Sequence, residues 1–170
     1  MIREIIFGDI TDPALHQGDI IIGMNTTLGE ASVIGRPFAK DIGVLNQIDR
    51  GSVLTFEFDA ERKLHMLVCH RLGRGGWADA EKYVRYSLDY LWQKYGERQF
   101  GIVQIGHGPV GQRDGAIVPD IRTAMANSFL EMDLFILPEE QEARVAVAQR
   151  PLKPLFVWDM GRGEREIRVH

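Results

Sequence analysis

The chain has 170 residues, of which 45% are hydrophobic and 26% charged, enough for one ordinary globular core and short for two. Its formal net charge of -4 and pI of about 5.7 argue against general nucleic-acid or membrane-surface binding, which needs an excess of Lys and Arg. The start has no leader-like pattern and no apolar run is long enough to span a bilayer, so a soluble, cytoplasmic protein is expected. Cys69 is the single cysteine, which excludes an intramolecular disulfide and argues against a zinc site. Its apolar neighbours Met66, Leu67 and Val68 point to a buried thiol rather than a nucleophile. Neither a metal nor a cofactor is expected.

In chain order, the isoleucine-rich run Ile2 to Phe7 reads as a strand stopped at Gly8-Asp9. A second strand, Asp19 to Gly23, has the near-continuous apolar character of a strand buried on both faces, and it empties into the polar segment Met24 to Gly29. Pro37 suits the first turn of a short helix through Lys40, ended by Gly43. Gly51 to Phe58 and Leu64 to His70 form a hairpin pattern around Asp59 to Lys63. The clearest helix has apolar residues at Val84, Leu88, Leu91, Trp92 and Tyr95, with Asp79 placed to cap its start and Gly96 its end.

Phe100 to Gly111 reads FGIVQIGHGPVG, a buried strand that breaks into a loop with three glycines. Gly106, Gly108 and Gly111 let the backbone approach a ligand, and successive N–H groups in such a loop suit phosphate oxygens; a simple tight turn is the other reading. A helix over about Ile117 to Phe129, a strand over Leu134 to Leu137 and an acidic-capped helix from Pro138 to before Pro151 complete the alternation. The pattern gives an α/β fold, a mixed β-sheet with helices packed on both faces in three layers. Residues 1–149 form one domain, and 150–170 extend it as a hairpin or strand packed on the same body. Ligands in such sheets bind beyond the carboxyl ends of strands, where both the Met24 to Gly29 and Gly106 to Gly111 loops emerge.

Three separated segments together resemble a macrodomain, the ADP-ribose-binding α/β fold. They are Gly8-Asp9-Ile10-Thr11, the strand and loop Asp19 to Asn25, and Ile105-Gly106-His107-Gly108-Pro109-Val110-Gly111. Within that family Gly43 to Gln47, Gly51-Ser52-Val53 and Tyr83 to Tyr90 are more similar to the terminal ADP-ribose protein glycohydrolase branch. The resemblance implies that Asp9 accepts a hydrogen bond from the adenine amino group, that Asn25 lies near the distal ribose, and that Gly106 to Gly111 is a phosphate loop. It places Ile10, Thr26 and Gly29 beside the ligand, together with Gly106, His107, Gly108, Pro109, Val110 and Gly111. Two departures bear on mechanism. The first loop is Leu28-Gly29-Glu30-Ala31-Ser32, with one glycine and an acid, and Val110 stands where the branch carries an aspartate that acts with a lysine. Lys40 lies near that lysine position. A valine neither accepts a proton nor holds charge, so the paired mechanism does not carry over intact.

Each candidate has a plainer reading. Asp9 caps a turn or reads a base. His107 acts as an acid or base, or only packs over the ligand. Lys40 is a nucleophile or a surface lysine. Arg71, Arg74 and Trp77 make a basic flap or a solvated loop. His65 and His70 have opposite strand parity and do not make a metal pair. The resemblance implies binding of ADP-ribose or a related adenine nucleotide diphosphate, free or on an ADP-ribosylated macromolecule. One alternative is a hydrolase that removes ADP-ribose or an acyl group from ester-linked ADP-ribose, with Lys40 and His107 as catalytic candidates. Another is an interaction domain that keeps the fold without the ligand.

Overall fold

The computed structural model describes residues 1–25, 49–70, 78–105, 118–136, 153–159 and 163–166. Eight strands and two helices lie within them: β1 (Ile2–Phe7), β2 (Asp19–Asn25), β3 (Val53–Glu57), β4 (Lys63–His70), α1 (Ala80–Tyr95), β5 (Phe100–Val103), α2 (Val118–Ala126), β6 (Met132–Ile136), β7 (Lys153–Asp159) and β8 (Gly163–Glu166). The short helix expected near Pro37 and the helix expected after Pro138 lie outside the described residues.

The strands form one mixed sheet in the order β1-β6-β5-β2-β4-β3-β7-β8. β1, β6, β5, β2 and β4 pair in parallel, so their carboxyl ends share one edge of the sheet. β3 returns antiparallel to β4 as the hairpin pattern requires, with Thr55 opposite His65, and β7 and β8 continue the antiparallel side. Parallel strands are covered on both faces, and β2 shows this directly. Ile20 and Ile22 pack with Leu54, Phe56, Met66 and Phe135 on one face, while Ile21 packs with Val84, Leu88 and Ile102 on the other. Both described helices belong to that second face. Cys69 is buried there as a free thiol.

Asp79 and Gly96 occupy the two caps of α1 as expected, but by other local chemistry. Asp79 precedes the helix in the left-handed region, at φ 60, and its side chain makes no capping bond. The Asp79 carbonyl accepts from the Tyr83 amide instead, so the backbone rather than the carboxylate closes the first turn. Gly96 ends the helix in right-handed geometry, at φ -58. The reason for glycine is space, since an added Cβ would collide with the Trp92 carbonyl oxygen. Trp92 also leaves the buried stripe. It is 45% exposed and lies 5.3 Å from the Phe129 ring at the rim of the sheet.

Candidate functional site

The parallel half of the sheet brings the chemically suggestive motifs to one edge. Asp9 follows β1, Asn25 ends β2, and Ile105 lies two residues beyond β5, all at carboxyl ends. Across the sheet the order is β1, β6, β5, β2, so the exit of β5 lies between those of β1 and β2. Three strand spacings separate β1 from β2, about 14 Å. The pairing register shifts between Met24 and Asn25. Thr26, Gly29, Lys40, Gly106, His107, Gly108, Pro109, Val110 and Gly111 lie outside the described residues, as do Arg71, Arg74 and Trp77.

Asp9 is half-buried and makes a turn, the plainer of its two readings. Its Oδ1 accepts from both the Thr11 amide and the Thr11 hydroxyl at 2.8 Å. Those two bonds hold Oδ1 against Thr11 and so orient the carboxylate. Ile10 is 1% exposed and packs into the core, so its backbone is the part available to a ligand. Thr11 is itself held from the far side by Arg62, whose Nη1 and Nη2 each donate to the Thr11 carbonyl at 3.3 Å.

Two glycines shape the same edge. Gly23 in β2 faces Ile105, and a Cβ there would meet the Ile105 side chain at 2.9 Å. Its absence lets the segment leading to the glycine loop lie close against β2. Gly51, at φ 91, turns the chain into β3 beside Tyr83. Arg50 then lies over the Tyr83 ring at 4.8 Å and donates from Nη1 to the Ala78 carbonyl at 2.6 Å. Sequence reading overlooked this cation because nothing local distinguishes Arg50; only the antiparallel return of β3 brings it to this edge.

The opposite edge holds a different cluster that sequence reading also missed. Asp19, fully buried at the start of β2, accepts from Arg98 Nε and Nη2 at 2.6 Å each and from the Lys63 amide at 2.8 Å. His65 Nε2 lies 3.2 Å from Asp19 Oδ2, and Thr55 Oγ1 lies 2.9 Å from His65 Nδ1. Burial pushes the Asp19 carboxyl up, but the hydrogen bonds from His65, Arg98 and Lys63 outweigh it and hold the group at about 2. Burial lowers the His65 imidazole below its ordinary value, ahead of the opposing hydrogen bond to Asp19. A neutral ring donates from Nε2 to Asp19 and accepts the Thr55 hydroxyl at Nδ1. The order acid, imidazole, hydroxyl is that of a nucleophilic relay, yet Asp19, His65 and Thr55 are all 0% exposed. A hydroxyl with no access to substrate is structural, and this cluster pins the sheet's amino edge.

Among the described residues no group of His, Cys, Asp and Glu is placed to hold a metal ion, and no helix is long and apolar enough to cross a membrane.

No protein-family model and no curated protein matches the chain. Solved structures do. A protein from Bacteroides thetaiotaomicron is similar with a TM-score of 0.49 and 13% identity, over 80% of this chain and 100% of that one. The alphavirus P23pro-zbd polypeptide is similar at 0.48 and 13% identity, with 87% of this chain matched to 24% of that one. The macrodomain of Thermus aquaticus DarG is similar at 0.47 and 14% identity, over 80% of this chain and 98% of that one. At these identities the likeness concerns the fold.

Proposed function

We propose that the chain binds ADP-ribose, or a related adenine nucleotide diphosphate, across the carboxyl edge of its parallel strands. One observation carries the reading. The lateral order of the strands sets Asp9, the exit of β5 toward the glycine loop, and Asn25 in a row, which is the order of base, diphosphate and second ribose along an extended ADP-ribose. A carboxylate at one end suits an amino-purine, and backbone amides of a glycine-rich loop suit the diphosphate between. Ligand crevices at strand carboxyl ends are the rule for open α/β sheets, which supports this edge.

Binding is favoured over ester hydrolysis because Val110 supplies neither acid nor base where the resemblance calls for one. Calorimetric titration with ADP-ribose tests the proposal, with ribose 5-phosphate as the ligand that lacks the base. Saturable binding and a raised melting temperature are expected, since a ligand specific to the folded state stabilises it. Asp9→Ala should weaken ADP-ribose more than ribose 5-phosphate; equal losses for both would remove the base-reading role.

A further inference from the structure

We propose that Arg62 is the positioning residue of the Asp9 turn, holding the Asp9 carboxylate in the orientation in which it meets the base of a bound adenine nucleotide. The inference rests on the reading of Asp9 given above and extends the site to a residue in the turn between β3 and β4, fifty-one positions along the chain from Thr11.

The connection can be followed atom by atom. The Asp59 carboxylate accepts the Glu61 and Arg62 amides on Oδ1, at 3.0 and 2.8 Å, and the Arg62 Nε on Oδ2 at 2.7 Å. That fixes the guanidinium over the Phe58 ring, 4.9 Å from its centroid. The other side of the fork enters the turn that follows β1. Nη1 donates to the carbonyls of His16 at 3.0 Å and Thr11 at 3.3 Å, and Nη2 donates to the same Thr11 carbonyl. Thr11 then presents its amide and hydroxyl to Asp9 Oδ1. The Arg62 side chain is 4% exposed, so the arrangement is enclosed rather than a surface ion pair.

Arginine is required here by shape. A planar fork with five donors holds two carbonyls and a carboxylate at once, which the single ammonium of lysine does not. With lysine the Thr11 carbonyl is released, the Thr11 amide and hydroxyl swing with it, and the Asp9 carboxylate loses its fixed plane. A base-reading acid discriminates through direction, so affinity for the adenine end should suffer while the phosphate contacts do not.

The test is Arg62→Lys, titrated with ADP-ribose and with ribose 5-phosphate, alongside amide exchange of Thr11 in the free protein. ADP-ribose should weaken about tenfold, ribose 5-phosphate by less than about twofold, and the Thr11 amide should exchange faster. Asp59→Asn, which loosens the Nε contact and retains arginine, should shift all three in the same direction by less. Equal losses of both ligands, unchanged ADP-ribose affinity, or an unchanged Thr11 amide would each overturn the inference. If Asp9→Ala abolishes discrimination while Arg62→Lys leaves it intact, the base-reading role stands and Arg62 is only a staple. If the native protein binds neither ligand, the nucleotide reading fails, and the Thr11 amide still decides whether Arg62 holds the turn.

Discussion

Arg98 meets Asp19 as a two-pronged pair, Nε to Oδ2 and Nη2 to Oδ1 at 2.6 Å each, with the Asp19 side chain fully buried and the Arg98 side chain 37% exposed. The same Nη2 donates to the Glu61 carbonyl at 2.8 Å, so one side chain ties the end of α1 to the start of β2 and the β3–β4 turn. Removing the cation leaves the buried carboxylate, among the described residues, with His65 and the Lys63 amide. Arg98→Met should therefore cost about 3 kcal/mol, the low end for breaking a buried pair because Arg98 is partly in water. Urea denaturation reads this directly, and a loss below about 1 kcal/mol would mean that the pair behaves as a surface contact.

Stability should fall toward acid in two stages. Burial holds the His65 and His16 imidazoles below their ordinary value, so both are neutral in the fold at pH 7. The unfolded chain takes up protons at these rings below about pH 6.5 whereas the folded chain does so only at lower pH, so stability is undiminished above that pH and declines as pH falls below it. Asp19 adds a second stage. Its carboxyl is held at about 2 against 3.8, so its contribution is present above pH 3.8 and is lost as the pH falls from there through about 2. That second loss is on the order of 2 kcal/mol. Urea midpoints compared at pH 7, 5 and 3.5 should decrease in turn; a midpoint that is flat or rises between pH 7 and 5 contradicts the neutral-histidine assignment.

Gly101 in β5 has no room for a side chain. A Cβ there would meet His16 Nε2 at 2.8 Å and Ile10 Cδ1 at 3.0 Å, both in the segment that follows Asp9. Gly101→Ala should cost about 1–3 kcal/mol by overpacking and should also weaken ADP-ribose, because the displaced segment carries Asp9. A variant with native stability in thermal unfolding would show that the segment yields freely.

On the proposed reading, catalysis on a glutamate ester of ADP-ribose should be absent or slow, because Val110 stands where the resemblance calls for an acid. Any slow turnover has two candidate agents with separate signatures. Attack by Lys40 would leave a trapped adduct on the protein, removed with turnover by Lys40→Ala. Activation of water by His107 would give a rate that falls as the imidazole protonates, with no adduct. Fast turnover unaffected by either substitution would contradict the site assignment.

The elements with strong periodicity or composition are legible in the sequence. The isoleucine run of β2, the β3–β4 hairpin and the Val84, Leu88, Leu91 stripe of α1 all follow from local pattern. The polar cluster was not, since Asp19, His65 and Arg98 are far apart in sequence and meet only because β2 lies beside β4 and α1 ends over them. Arg62 was hidden for the same reason, reading as an ordinary charged turn residue until the Thr11 carbonyl is placed beneath it. Trp92 misled in the other direction, since one apolar residue beside a helical stripe can as well sit at its margin. Local sequence specifies faces and turns, whereas partners of buried charges are a property of strand order.

The same strand order sets a schedule on synthesis. Among the described residues β1 has a single strand neighbour, β6, with Ile2 against Met132 and Arg3 held by Asp133 across 130 positions. At roughly 5–20 residues per second, β1 waits on the order of 10 s on the ribosome before its partner is made. During that time Ile5 and Phe7, which stay 53% and 75% exposed even in the finished fold, are open to other chains. A chain stopped before Met132 would lack β6, the strand that pairs with the first, so premature termination should yield aggregates rather than a smaller folded unit.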